Sequence, residues 1–152
     1  MRINRRQRVK LVLSPQEKER YRYTPEVTPE QVMDAAMVST GVRLLDQVGR
    51  VLAEIPVTLS GKIAEALQMD AKELNTAVKT LCGVSMHELL EMYLLRKAKR
   101  LIEHADKLDV GEVAEECGFS SSAAFGTFFE RKTGKTPVEW KTGKKPYNWH
   151  RP

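Results

Sequence analysis

Side chains able to do chemistry are present in this sequence, but their spacing argues against catalysis and metal binding. Cys82 and Cys117 stand thirty-five positions apart, and neither sits in a C-x-x-C pair or beside a histidine at ligand spacing. His87, His104 and His150 are scattered. No Ser-His-Asp set, paired carboxylates or glycine-rich phosphate loop stands out. The chain is therefore expected not to be an enzyme and to carry neither metal nor cofactor. What remains is hydrogen-bonding and ionic chemistry, and it concentrates in "ECGFSSSAAFGTFFERKTGKTP", residues 116–137. Read as a helix, this stretch gathers Phe125, Phe128 and Phe129 on one side. It leaves Ser121, Ser122, Ala123, Gly126 and Thr127 on an almost bare face. A bare face admits another surface at close range, and serine hydroxyls beside the free N–H groups of a helix start suit an anionic group.

The elements that must hold those residues are helical. "TPEQ" at residues 28–31 can cap a helix carrying Val32, Met33, Ala36 and Met37, and Gly41 interrupts it. Leu44, Leu45, Val48, Val51 and Leu52 then follow at helical spacing until Ile55-Pro56 ends the run. From Leu59 the pieces shorten. "SGKIAEAL" is a brief helix, "QMD" a turn, and "AKELNTAVKTLCG" a second helix closed by Gly83. "SMHELLEMYLLRKAKRLIEHA" is a longer helix with Met86, Leu89, Leu90, Tyr93, Leu94, Leu101 and Ile102 on its apolar side. At 1.5 Å per residue it spans about 30 Å. "DVGEVAEECG", capped by Asp109, then repeats the short helix, "FS" the turn, and "SSAAFGTFFERKTG" the second helix, closing at Gly134. A last short helix begins near Pro137 and includes Trp140. Cys82 and Cys117 read as buried small hydrophobes, free thiols of a reducing compartment.

The chain thus contains an internal repeat. Ile63, Ala64, Met69, Leu74, Val78 and Gly83 match Val113, Ala114, Phe119, Phe125, Phe129 and Gly134. Short helix, tight turn, second helix is the helix-turn-helix layout, which sets a helix into the major groove of DNA. With 152 residues there is room for one ordinary domain or two very small ones. The net charge of +5 suits an anionic partner, and its distribution is uneven. Residues 1–23 carry a net +6, residues 24–95 a net −5 and residues 96–152 a net +4. The basic opening "MRINRRQR" is followed only by "VKLVL", too short for the apolar region of a signal peptide, and no apolar run approaches a membrane span. A cytoplasmic, nucleoid-associated protein is expected, with no membrane partner.

The repeat, the joining "LLRKAKRLI" and the ending "GKTPVEW" resemble the DNA-binding domain of the AraC/XylS family of bacterial transcription regulators over about residues 42–142. The resemblance implies an all-α fold of two helix-turn-helix subdomains joined by a long connecting helix. It divides the chain into a basic arm and linker (1–28), a helical lead (29–56), the AraC-type domain (57–142) and a tail (143–152). Both reading helices would enter successive major grooves of double-stranded DNA. RNA polymerase, and a second copy of the chain meeting through the helical lead, are further candidate partners. Base contact would fall to Lys72, Asn75 and Thr76 in the first unit and to Ser122, Ala123 and Thr127 in the second. Asparagine pairs in a fork with adenine, lysine reaches guanine, and methyls meet thymine. Phosphate contact would fall to Ser121, Lys79, Lys97, Lys99, Arg100, Arg131, Lys132 and Lys135.

The chain departs from the family pattern in places. Ala123, Gly126 and Thr127 stand where polar or basic residues are usual. Glu130 replaces a common phosphate-facing lysine, and Leu94 a usual arginine. These departures keep a second class of function open: a protein–protein adaptor that retains the fold and has lost groove reading. A repair protein with an appended AraC-like module is disfavoured by the lack of a reactive-cysteine motif. The basic arm has three readings: a minor-groove or phosphate contact, a contact to another acidic partner, or a solubilising end. Deleting residues 1–23 separates them. An arm on phosphate predicts uniformly weaker duplex binding and a flatter salt dependence. An unchanged slope in a salt titration would place the arm elsewhere.

Overall fold

The computed structural model describes residues 27–143, so the basic arm and the tail beyond Gly143 lie outside it. The described residues form eight α-helices and no strand: α1 Pro29–Met33, α2 Arg43–Glu54, α3 Ser60–Ala66, α4 Ala71–Cys82, α5 Met86–His104, α6 Val110–Glu116, α7 Ser122–Thr133 and α8 Pro137–Thr142. They fall into two compact units. Unit 1 takes residues 27–55 and 59–90, and unit 2 takes residues 56–58 and 91–143.

In unit 1, Thr28 and Gln31 close a capping box on α1. The helix ends sooner than expected, at Met33, and the chain turns through residues 34–37. Ala36 and Met37 are therefore exposed rather than buried, Met37 at 88%. In that turn the Ala35 amide donates to Val32 and the Met37 amide to Asp34, and the loop beyond is held to the next helix. Asp46, on α2, accepts from the Thr40 amide at 2.8 Å and the Thr40 hydroxyl at 2.7 Å, and also from the Ser39 hydroxyl. Partial burial pushes the Asp46 carboxyl up, but these bonds and Arg50 outweigh it and hold the group below its usual range. α1 packs on α2 at Gly49, where an added Cβ would stand 2.5 Å from the Val32 carbonyl oxygen. α2 in turn packs on α3, and α3 on α4. The core gathers Val32, Leu45, Val48, Leu52, Ile63, Leu74, Val78 and Leu89, all buried.

In unit 2, α6 packs on α7 and α7 on α8. Leu94, Ala98 and Ile102 of α5, Val113 and Ala114 of α6, and Phe125, Phe128 and Phe129 of α7 are buried. Ala98 completes the apolar side of α5, on which Tyr93 and Leu101 are only half-buried. Phe119, also half-buried, meets Phe125 edge-on at 5.5 Å and Phe128 at 5.2 Å. The Trp140 ring stands edge-to-face on Phe129 at 5.6 Å, and its Nε1 donates to Glu103 at 3.1 Å. Through this tryptophan α8 is docked on α7 and α5. Both cysteines are buried free thiols. Burial pushes Cys117 up to about 11 against the opposing pull of Lys97, which makes it a poor nucleophile at neutral pH.

The two repeats share one turn chemistry. In unit 1 the Met69 amide donates to the Ala64 carbonyl and the Gln68 amide to that of Glu65. In unit 2 the Phe119 amide donates to Ala114 and the Gly118 amide to Glu115. This pair of bonds is a Schellman motif, which needs a left-handed residue just past the helix. Gly118 supplies it with φ +89°, and in unit 1 Gln68 takes φ +56° instead. The first helices match at an offset of fifty residues and the second helices at fifty-one, so the turn before α7 is one residue longer.

These geometries predict opposite outcomes for two substitutions. A left-handed L-residue costs roughly 1–2 kcal/mol, and glycine returns part of that as chain entropy. Gln68→Gly is expected to stabilise the protein by about 0.5–1 kcal/mol. Gly118→Ala adds a Cβ 2.7 Å from the Pro56 carbonyl carbon as well as strain. It is expected to cost about 2–4 kcal/mol. Urea unfolding midpoints of the two variants check both signs.

Candidate nucleic-acid interface

The second helix of each unit carries the residues singled out for base contact. On α4, Lys72, Asn75 and Thr76 are exposed. Asp70 caps the helix, its carboxylate accepting from the amides of Lys72 at 3.0 Å and Glu73 at 3.2 Å. Asn75 is not wholly available: its Oδ1 accepts from the Met86 amide at 2.9 Å, tying α4 to the start of α5. A forked pair with adenine uses both the oxygen and the NH2 group of an asparagine. Only the NH2 here is uncommitted by that bond. The start of α5 is also held by a reciprocal pair, the Ser85 hydroxyl accepting from the Glu88 amide and the Glu88 carboxylate from that of Ser85. The "SMHE" spacing is a capping-box signal legible in the sequence. Lys79 lies exposed in the last turn of α4.

On α7, Ser121 is the N-cap, and its hydroxyl accepts from the Ala124 amide at 3.0 Å. Ser122, Ala123 and Thr127 are exposed, and Gly126 is half-exposed. The bare face expected for this helix is therefore open. A Cβ placed on Gly126 would meet nothing within 4 Å.

Most of the predicted phosphate-contacting cations of unit 2 already have partners inside the unit. Lys97 Nζ donates to the Glu116 carbonyl, at the end of α6, at 2.8 Å. Lys99 and Lys135 lie over the Trp140 ring at 5.0 and 5.8 Å. Arg131 stacks over Phe128 at 5.8 Å and meets Glu91 at 3.4 Å, and Lys132 meets the other Glu91 oxygen at 2.6 Å. Arg100 is exposed. Glu91 was not singled out from sequence, and no pattern could have shown it, since forty residues separate it from Arg131. A cavity of about 300 Å³ in the same unit is lined by Thr58, Glu91, Leu94, Phe119, Ala124, Thr127, Phe128 and Arg131. Among the described residues, no three His, Cys, Asp or Glu side chains cluster as metal ligands, and no helix is long and apolar enough to cross a membrane.

The paired short helix, Schellman turn and exposed second helix define a protein with two helix-turn-helix units. The chain belongs to the AraC-type helix-turn-helix family: the family described as "Helix-turn-helix domain" matches residues 63–143. That family is one of transcription regulators, not of enzymes. The "HTH-type transcriptional activator RhaR" of Enterobacter sp. (strain 638) is 34% identical over 79 residues, covering 52% of this chain and 28% of that protein. The protein of the same name from Escherichia coli (strain K12) is 27% identical over 124 residues, covering 80% of this chain and 40% of that protein. The chain thus spans two fifths or less of the length of these relatives. The fold is shared with the C-terminal domain of the two-component response regulator yesN from Fusobacterium nucleatum. The TM-score is 0.59 at 22% identity, over 66% of this chain and 99% of that one.

Gly126 provides a test of whether the bare face serves the fold itself. A mid-helix glycine costs about 0.5–1 kcal/mol relative to alanine. With nothing among the described residues near its Cβ position, Gly126→Ala is expected to raise the stability of the protein by that amount. A urea unfolding midpoint that falls instead would give the glycine an internal role.

Proposed function

We propose that this chain is a sequence-specific DNA-binding transcription regulator that places α4 and α7 in successive major grooves of one duplex. The observation that carries the reading is the open face of α7, where Ser122, Ala123 and Thr127 are exposed and, among the described residues, nothing lies within 4 Å of a Cβ placed on Gly126. Such a face suits close approach to a phosphate backbone, with Ser121, Ser122 and the first amides of α7 as donors. Ala123 and Thr127 would contact thymine methyls, and Ser122 either a base edge or phosphate. On α4, Lys72 and Thr76 would reach base edges, with Asn75 adding its NH2 group while its oxygen holds α5. Lys79, Lys97, Lys99, Arg100, Arg131, Lys132 and Lys135 would contact phosphate. The nineteen residues of α5 amount to about 28 Å of helix, comparable to the ~34 Å between successive grooves. RNA polymerase is the partner through which such a protein would act. A second copy would meet the helical lead, where Met37 and Val38 expose 88% and 68% of their surface.

A second reading is an adaptor that binds protein instead of DNA. Two observations favour it: Asp70 caps α4 and Glu73 sits in its first turn, where phosphate would approach, and most unit 2 cations are internally paired. Duplex binding followed by anisotropy across a salt series separates the two. A regulator loses affinity steeply as salt rises, because each neutralised phosphate releases counterions. An adaptor binds no duplex even at low salt. Selection of a preferred site from random DNA then assigns the helices. Lys72→Ala with Thr76→Ala is expected to relax preference in one half-site, each lost base contact costing about 1–3 kcal/mol of discrimination. Ser122→Ala with Thr127→Ala is expected to weaken all sequences by a similar factor. The reverse pattern would exchange the roles of the two units.

A further inference from the structure

We infer that Glu91 limits the duplex affinity of unit 2 by holding the two cations that phosphate would otherwise take. The inference rests on the DNA-binding reading above and adds to it a residue outside both reading helices. Arg131 and Lys132 occupy the last turn of α7. Each meets a different oxygen of the one Glu91 carboxylate, Lys132 at 2.6 Å and Arg131 at 3.4 Å. The Glu91 side chain is only 18% exposed, while those of Lys132 and Arg131 are 31% and 58% exposed. The acid therefore sits beneath the cations, where solvent screens it poorly. It also lines the same cavity as Thr127, so its negative charge lies beside one of the α7 residues proposed to approach the duplex.

The consequence is a competition. A short ammonium–carboxylate contact is a charge-assisted hydrogen bond, and a phosphate oxygen offers the lysine the same chemistry. Phosphate gains only the difference between the two. Arg131 is steadied by Phe128 and is the more exposed of the pair, so it can share itself between Glu91 and phosphate. Lys132, held closer to the acid and less exposed, gives up more of that contact to reach phosphate. Together the three side chains present a net single positive charge to the duplex instead of two. Removing the acid's charge while keeping its shape frees both cations without disturbing α7.

Anisotropy titrations of unrelated duplexes with the full chain test this. Glu91→Gln is expected to tighten binding roughly three- to tenfold and to steepen the log–log salt slope by about one to two. Adding Arg131→Ala and Lys132→Ala to Glu91→Gln is expected to abolish the gain. Lys132→Ala alone, in a chain that retains Glu91, is expected to weaken binding less than about twofold, since the acid already occupies that cation. Unchanged or weaker binding by a folded Glu91→Gln protein overturns the inference while leaving the DNA reading intact. So does a loss above about fivefold for Lys132→Ala alone. Binding by Glu91→Gln where the wild type binds none supports it. Absence of duplex binding by both at low salt overturns the inference and the DNA reading together.

Discussion

The left-handed residue between the paired helices is the constraint on which each unit depends. At Gly118 it closes two backbone bonds, from the Phe119 amide to Ala114 and from its own amide to Glu115. Those bonds end α6 and send the chain toward α7 with Phe119 turned onto Phe125 and Phe128. Pro56 and Val57 pack where a side chain at Gly118 would stand, so the segment 56–58 belongs to unit 2 through the same glycine. A different φ here would withdraw the aromatic ring, open the packing of 56–58 and re-aim α7 at once. Gln68 meets the same demand in unit 1 with an ordinary side chain, at a strain glycine would not carry.

Once α7 is aimed, its two sides divide the work. Phe125, Phe128 and Phe129 are buried and anchor the helix, while residues 122, 123 and 127 stay exposed. The anchoring is extended by Trp140, which meets Phe129 edge-to-face and takes Lys99 and Lys135 against its ring. The same tryptophan is therefore both a packing element and a support for cations. Surface ion pairs and cation–π contacts of this kind contribute little to folding, of the order of 1 kcal/mol or less each. Their main effect is to fix where positive charge stands and how much of it reaches solvent.

The electrostatic character of the two units differs for physical reasons that sit in the helix ends. α4 begins with Asp70 as its cap and Glu73 in the first turn, which complements the helix dipole and favours folding. The same charges oppose an approaching phosphate. α7 begins with neutral Ser121 and carries no acid in its first turn, so its free amides keep their attraction for an anion. Under the proposed DNA reading, unit 2 would be the better phosphate anchor of the two; its Lys132 and Lys97 meet Glu91 and the Glu116 carbonyl.

The sequence by itself determined the helices, their order and the repeat. Apolar residues at helical spacing, the caps Thr28, Asp70, Asp109 and Ser121, and the stop glycines Gly83 and Gly134 are local signals, acting within a turn of where they stand. The candidate reading faces were legible for the same reason, because a helix's exposed side follows from its buried one. The early end of α1 was not, and the loop that follows it is held by bonds from Ser39 and Thr40 to Asp46 on another helix. Nor was the left-handed Gln68, whose side chain gives no sign of the backbone it adopts. Tertiary structure alone bound the Asn75 oxygen to the Met86 amide and set Glu91 beneath Arg131 and Lys132. These contacts join residues eleven and forty or more positions apart, and only the packed chain brings such charges and dipoles within reach of each other.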